Sequence, residues 1–143
     1  MQTKQPKIWA HRGASAYAPE NTLEAFELAL RQHADGIELD VHLSADGELV
    51  VAHDERVDRV SNGSGAVAEL TLAELQALDF GSRGAPHYAG QRIVQTEDFL
   101  ARYGSRLPLV LEIKAAAAVL PLVQAVHSAS LLEQVVFTSF DYA

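Results

Sequence analysis

Cysteine is absent from the chain, so disulfides, thiolate catalysis and cysteine-based zinc sites are excluded. Long hydrophobic runs are also missing, because the longest apolar stretch, AAAAVLPLV at 115–123, is far shorter than the roughly 20 residues of a membrane-spanning helix. Basic residues are few, with 11 Lys and Arg against 19 Asp and Glu, and a formal charge of −8 argues against a nucleic-acid partner. The first residues, MQTKQPKIWA, lack the apolar segment of a secretory signal, and this predicts a soluble, cytoplasmic protein.

What the chain does contain is an alternation of short apolar runs with helix-like patterns, in 143 residues, a length suited to one domain. The apolar runs predict five strands, at residues 7–10, 36–42, 49–53, 107–114 and 134–140. Strands that alternate with helices are typical of βαβ units and a parallel sheet. The segment 54–95, rich in Gly, Ser and Asn, interrupts this alternation, and we interpret it as an excursion from the sheet rather than a second domain.

Four helices are predicted from apolar spacing and capping signals, with starts near residues 21, 71, 96 and 120. Asn21 with Glu24 and Thr71 with Glu74 have the spacing of a capping box. The third helix is predicted to end at residue 103 and the fourth near residue 132.

Ionisable side chains share one face of two predicted strands. Because side chains alternate along a strand, Glu38, Asp40 and His42 of GIELDVH lie opposite its aliphatic residues, as do Glu112 and Lys114 of LVLEIK. A buried carboxylate without a counter-charge is costly or becomes protonated. Glu38, Asp40 and Glu112 are therefore candidate ligands of a divalent cation that prefers oxygen, Mg²⁺ or Ca²⁺ rather than zinc.

Two histidines and an arginine stand where predicted strands end. His11 and Arg12 follow the first strand, and His53 ends the third. Each signal alone has a structural interpretation, because a single histidine is often a hydrogen-bonded structural residue and an isolated acidic face is often half-exposed. Functional sites of parallel α/β folds lie at the carboxyl ends of strands, so the joint occurrence favours one shared site. His42 shares the acidic face but lies beyond the carboxylates.

Five blocks occur in order, AHRGASAYAPENTLEAF, HADGIELDVHLSADGELVVAHDERVDRVSNGSG, TLAELQALDFGS, LEIK and TSFD. In these blocks, from about Ile8 to Asp141, the chain resembles the glycerophosphodiester phosphodiesterase family of the bacterial cytoplasmic type. The resemblance implies a TIM (β/α)8-barrel in which residues 1–143 form the N-terminal portion, with about five βα units and a small insertion after the third strand, at about 54–95. Since such barrels typically have about 250 residues, the chain is expected to be a fragment whose open edges permit self-association.

The resemblance also implies a reaction, the metal-dependent hydrolysis of a glycerophosphodiester to glycerol 3-phosphate and an alcohol. By position the family's metal ligands correspond to Glu38, Asp40 and Glu112, its catalytic histidines to His11 and His53, and its phosphate-contacting cations to Arg12 and Lys114. The sequence leaves open which histidine is the acid and which the base, and whether the cation is Mg²⁺ or Ca²⁺. Two alternatives also stay open, a related phospholipase D-like or sphingomyelinase D-like enzyme, and a non-catalytic half-barrel remnant.

Overall fold

The computed structural model describes residues 5–140, which form one six-stranded mixed sheet and four α-helices. The strands are β1 (Trp9–His11), β2 (Gly36–Leu43), β3 (Leu49–Val51), β4 (Val94–Gln95), β5 (Leu109–Ile113) and β6 (Val135–Thr138). The helices are α1 (Leu23–Arg31), α2 (Leu72–Ala77), α3 (Thr96–Tyr103) and α4 (Val119–Ser128). Short 3₁₀ turns lie at Val57–Arg59, Val67–Glu69, Pro86–Tyr88 and Ala116–Ala118.

The sheet combines four parallel strands with an antiparallel extension. β1, β2, β5 and β6 run parallel, whereas β3 is antiparallel to β2 and β4 is antiparallel to β3. β1 pairs with residues 36–38 of β2 and β3 pairs with residues 41–43, so both share one edge of β2 while β5 occupies the other. All five predicted strands are present, but β4 was not predicted and the expected parallel direction of β3 is wrong.

The short connection between β2 and β3 explains this direction. Only residues 44–48 join the two strands, whereas a parallel crossover needs about a dozen residues or more. The Ser44 hydroxyl closes the turn by accepting the Glu48 N–H at 2.9 Å. Residues 5–140 therefore contain four parallel strands instead of about five βα units. The residues after β3 return along β2, where Ala52 N–H donates to the Asp40 carbonyl at 3.0 Å.

Helix α1 begins one residue later than predicted. Its N-cap is Thr22, whose Oγ1 accepts the Ala25 N–H at 3.3 Å. Asn21 instead adopts a left-handed backbone with φ of 58° and directs its amide to Asp40. The predicted N-cap is therefore a residue that contacts the candidate site.

The other helices match their predictions with small shifts. The capping box of Thr71 and Glu74 at the start of α2 is confirmed, and α3 spans the predicted residues. Helix α4 ends at Ser128, four residues before the predicted end. No helix within residues 5–140 is both long enough and apolar enough to cross a membrane.

The main core lies between one face of the sheet and helices α1, α3 and α4. The aliphatic residues of β2 and β5 pack there against an aromatic cluster in which the ring centroid of Phe99 lies 4.7 Å from that of Phe26 and 4.9 Å from that of Tyr103. A smaller core within the segment between β3 and β4 is formed by Val57, Val67, Leu75, Phe80 and Ile93 together with Val50 of β3. The segment thus packs onto the sheet, and its description as an insertion at 54–95 stays a prediction.

Candidate active site

Three carboxylates converge on the sheet face opposite the main core. Asp40 of β2 and Glu112 of β5 are register partners, and Glu38 lies two residues before Asp40 on the same face. One carboxylate oxygen from each residue lies within 4.8 Å of the others. Asp40 is completely buried, while the side chains of Glu38 and Glu112 are 14% and 12% exposed. The structure brings the three predicted metal ligands together.

Two cations border these carboxylates. Lys114 Nζ lies 2.6 Å from Glu112 Oε1 and 3.7 Å from Asp40 Oδ1. Arg12 Nε lies 3.3 Å from Asp40 Oδ2, and the Arg12 backbone N–H donates to Glu38 Oε2 at 3.1 Å. Burial and the charge of Asp40 raise the pKa of Glu38 from 4.5 to about 7. An additional positive charge would therefore stabilise the ionised form of Glu38 in this cluster.

The two oxygens of Asp40 have different surroundings. Oδ2 accepts the Asn21 side-chain amide at 3.0 Å, whereas the buried Oδ1 has no hydrogen-bond partner within residues 5–140. A buried polar atom without a partner is uncommon in folded proteins. Asp40, Glu38 and Glu112 together offer carboxylate oxygens, a donor set of the kind that Mg²⁺ and Ca²⁺ prefer. A divalent cation therefore fits the residues present.

His11 reaches the cluster from β1. It is the register partner of Glu38, and its Nε2 lies 3.8 Å from Glu38 Oε2, with the imidazole 66% exposed. Gly13 then turns the chain sharply, with φ of 77°, and a Cβ there would lie 2.7 Å from the backbone carbon of Ala25 in α1. Close packing against α1 is thus a physical reason for glycine in the His-Arg-Gly stretch.

His53 approaches by a different route from the one predicted. β3 ends at Val51, so His53 lies in the following loop, and the antiparallel return of this strand brings the loop alongside β2. The His53 carbonyl lies 3.2 Å from Nε2 of His42, a buried residue whose pKa is lowered by burial. The imidazole Nδ1 of His53 lies 2.7 Å from Asp54 Oδ1. His53 is therefore placed by the loop after an antiparallel strand and not, as predicted, by the carboxyl end of a parallel strand.

A charged network connects Arg12 to His53. Glu20 Oε1 accepts from Arg12 Nη1 at 3.1 Å, and both Glu20 oxygens accept from Arg59 at 2.8 Å. Arg59 also donates to both Asp54 oxygens, at 2.7 and 3.0 Å. Sequence reasoning missed these residues. The position of Asp54 next to His53 is a usable signal, but Glu20 and Arg59 are 39 residues apart and no local pattern connects them.

The profile of the glycerophosphoryl diester phosphodiesterase family matches residues 11–140. The chain belongs to this family. The glycerophosphodiester phosphodiesterase of Caldanaerobacter subterraneus subsp. tengcongensis is 42% identical over 141 residues, which cover 94% of this chain and 58% of the relative. The Bacillus subtilis protein YhdW is 55% identical over 107 residues, which cover 75% of this chain and 44% of the relative. The predicted family is thus confirmed.

Solved structures of family members have the same fold. The crystal structure of glycerophosphodiester phosphodiesterase from Agrobacterium tumefaciens str. C58 matches with a TM-score of 0.93 at 36% identity, over 96% of this chain and 59% of that chain. An Oleispira antarctica phosphodiesterase in complex with the product sn-glycerol-3-phosphate matches with a TM-score of 0.87 at 34% identity, over 96% and 58% of the two chains. These matches confirm the predicted TIM-barrel fold class, of which the chain contains a part. The chain spans between 44% and 59% of the length of these relatives.

Proposed function

We propose that the domain to which this chain belongs hydrolyses glycerophosphodiesters to glycerol 3-phosphate and an alcohol, with Mg²⁺ or Ca²⁺ as its cofactor. The observation that carries the proposal is the cluster of Glu38, Asp40 and Glu112, bordered by Arg12 and Lys114, in which Asp40 Oδ1 has no hydrogen-bond partner within residues 5–140. Membership of the family supports the reaction class. The glycerol 3-phosphate in the Oleispira antarctica relative supports a small-molecule phosphodiester as the substrate.

Glu38, Asp40 and Glu112 would hold the cation, and their spacing bears on its identity. Ca²⁺ binds oxygen at about 2.3–2.6 Å and so can contact oxygens up to about 5 Å apart, whereas Mg²⁺, at about 2.0–2.1 Å, contacts oxygens up to about 4 Å apart. The three oxygens lie within 4.8 Å of one another, a spacing that falls inside the Ca²⁺ limit. The bound cation would polarise a phosphoryl oxygen and lower the pKa of the attacking hydroxyl group.

The remaining residues would neutralise charge and transfer protons. Arg12 and Lys114 can donate to phosphoryl oxygens, and the guanidinium can bind two of them at once. One histidine would accept the proton of the substrate's own glycerol hydroxyl as that oxygen attacks phosphorus, and the other would protonate the alcohol oxygen as its bond to phosphorus breaks. Water then opens the resulting cyclic phosphate, with the proton transfers reversed, to leave glycerol 3-phosphate.

The experiment that tests the proposal measures glycerol 3-phosphate release from glycerophosphocholine in Ca²⁺, Mg²⁺ or a chelator, by a protein that contains the whole domain and, separately, by the purified chain. For the protein with the whole domain we expect release with at least one cation and none with the chelator, and the same rates for His127→Ala, an exposed residue of α4. No release by that protein in either cation would overturn the proposal, and metal binding without release by the purified chain alone would assign the chain to the non-catalytic alternative. Activity on intact phospholipid but not on glycerophosphocholine would favour the phospholipase D-like alternative.

A further inference from the structure

We infer that Arg59 is a positioning residue, which holds His53 through Asp54 and Arg12 through Glu20 and thereby connects the segment between β3 and β4 to the candidate active site. The geometric part of this inference stands on side-chain contacts alone. Its catalytic part rests on the proposed function.

The backbone that carries Arg59 is itself well anchored. The 3₁₀ turn that ends at Arg59 begins at the buried Val57, whose carbonyl accepts both the Ser61 N–H and the Ser61 hydroxyl at 2.9 Å. From this turn the guanidinium forms two contacts with Glu20, both at 2.8 Å, and two with Asp54, at 2.7 and 3.0 Å. Two-point contacts of this kind fix the direction of a carboxylate as well as its position.

Each of these carboxylates is bonded in turn to a residue of the candidate site. Asp54 Oδ1 lies 2.7 Å from His53 Nδ1, and an acceptor at Nδ1 selects the tautomer that carries its proton there and leaves Nε2 for proton exchange. Glu20 Oε1 accepts from Arg12 Nη1 at 3.1 Å, while Arg12 Nε faces Asp40. Arg59 therefore determines how two functional side chains are oriented, although within residues 5–140 its side chain is hydrogen-bonded to Glu20 and Asp54 and not to either of them.

An ordinary surface ion pair is the alternative interpretation, since the Arg59 side chain is 51% exposed and exposed pairs contribute little. Arg56 in the same segment provides the contrast, because its side chain is 58% exposed and makes one contact with Asp58, at 3.2 Å. Arg59 differs by joining two carboxylates into a network of five charged or titratable groups. The hydrogen bonds from Arg59 also lower the pKa of Glu20 and the pKa of Asp54, so both carboxylates remain ionised.

The contact between Glu20 and Arg59 also connects two parts of the fold. Glu20 and Arg59 line opposite sides of an open cleft of about 330 Å³ between residues 15–20 and the segment that follows β3. The bond between them joins the two walls of that cleft.

Nitrogen-15 NMR of the histidine imidazoles in the purified chain tests the geometric part. We expect wild type and the matched control Arg56→Gln to show His53 with its proton at Nδ1, and Arg59→Gln to lose most of that population. Arg59→Lys keeps the charge but not the two-point contacts, so we expect an intermediate population. A folded Arg59→Gln variant with an unchanged His53 spectrum would overturn the inference.

Variants of the two carboxylates keep the test decisive if Arg59→Gln fails to fold. Asp54→Asn is expected to alter the His53 spectrum, and Glu20→Gln is expected to leave it unchanged while altering the nitrogen-15 signal of the Arg12 side chain. If Arg59→Lys and Asp54→Asn both fold and both leave the His53 spectrum unchanged, the inference is wrong.

Kinetics in a wild-type protein that contains the whole domain, and in its variants, test the catalytic part. Because small displacements of reacting groups cost up to about 100-fold in rate, we expect Arg59→Gln to lower kcat by roughly 10- to 100-fold and also to raise KM. Asp54→Asn should lower kcat with little change in KM, and Glu20→Gln should mainly raise KM. Unchanged kinetics in Arg59→Gln would overturn this part, whereas an inactive wild type would count against the proposed function and leave the NMR result standing.

Discussion

Asp40 and Glu112 are register partners on neighbouring parallel strands, and their carboxylates therefore project from adjacent positions of the same sheet face. The alternate residues of both strands, Leu39 and Leu111 among them, are fully buried against the helices. A slip of one residue in either strand would exchange the two sets and place carboxylates in the apolar core. The register that the core requires is thus also the register that assembles the candidate metal site.

Replacing a carboxylate of the cluster by its amide is expected to abolish divalent cation binding. Glu38→Gln and Asp40→Asn each remove an anionic oxygen from the donor set without a large change in side-chain volume. Isothermal titration calorimetry with Ca²⁺ and Mg²⁺ measures the effect. Glu24→Gln, which changes a partly exposed residue of α1 paired with Arg31, is the matched control and should bind like wild type. Wild-type affinity in Glu38→Gln or Asp40→Asn would remove that residue from the set of ligands.

Strand parity was sufficient to predict which carboxylates meet. β2 and β5 are long enough for the alternation of their side chains to be recognised in the sequence. Both bury one aliphatic face, except at Leu43, which ends β2 and is half-buried. Once the two strands are neighbours, Glu38, Asp40 and Glu112 can only lie together on the other face. Lys114 follows from the same alternation, because it continues the spacing just beyond β5.

Features that depend on chain direction or on long-range contacts were not predicted. The antiparallel β3 was missed although its signal is present, because the residues 44–48 are too few for a parallel crossover. The role of Asn21 was missed because Asn is also a favoured N-cap residue, and local propensity cannot distinguish a cap from a contact with Asp40. The contact between Glu20 and Arg59 depends on how the segment after β3 packs against residues 15–20. The periodicity of apolar residues in the sequence does not predict such packing.

The affinity for divalent cations is expected to rise with pH between about 5 and 7. Burial, followed by the charge of Asp40, raises the pKa of Glu38 from 4.5 to about 7, so in this range the folded chain retains a proton that the unfolded chain has released. The stability of the metal-free chain should therefore fall as pH rises through this window, while a cation that displaces the proton should bind more tightly. Calorimetric titrations and thermal unfolding from about pH 5 to about pH 8 measure both trends. Affinity and stability that stay constant over this range would contradict the prediction.

Alanine substitution at two glycines separates backbone strain from steric contact. Gly13 and Gly47 have similar backbones, with φ of 77° and 83°, but a Cβ at Gly47 meets no atom within 4 Å, whereas one at Gly13 lies 2.7 Å from the backbone of Ala25. Gly47→Ala should cost about 1–2 kcal/mol of the free energy of unfolding, the usual cost of a left-handed non-glycine residue. Gly13→Ala should cost clearly more, because α1 or the His11–Gly13 turn must move. Chemical denaturation compares the two variants, and equal losses would show that the contact with α1 is unimportant.

Loss of either candidate acid–base histidine is expected to lower turnover by about 10²–10⁴-fold in a catalytically active protein that contains this domain. His11→Ala removes the imidazole whose Nε2 lies 3.8 Å from Glu38 Oε2, and His53→Ala removes the imidazole bonded to Asp54. His127→Ala, an exposed substitution on α4, controls for the general effect of removing an imidazole. Steady-state glycerol 3-phosphate release is the measurement. A variant that keeps the full rate would show that its histidine has only a structural role.

Self-association of this chain is expected to use the edge of β6. Among the strands within residues 5–140, β6 pairs only with β5, and this leaves its other edge without a strand partner. Val136 of β6 is 56% exposed and Phe140 just beyond it is 79% exposed, and an apolar, unpaired edge invites pairing between chains. We expect the average mass in analytical ultracentrifugation to rise with protein concentration, and Val136→Lys to suppress the rise because a charge on an edge strand opposes pairing. Val119→Lys changes a valine of α4 that is 41% exposed and should not have this effect. A constant monomer mass, or equal suppression by the two variants, would exclude the β6 edge as the site of association.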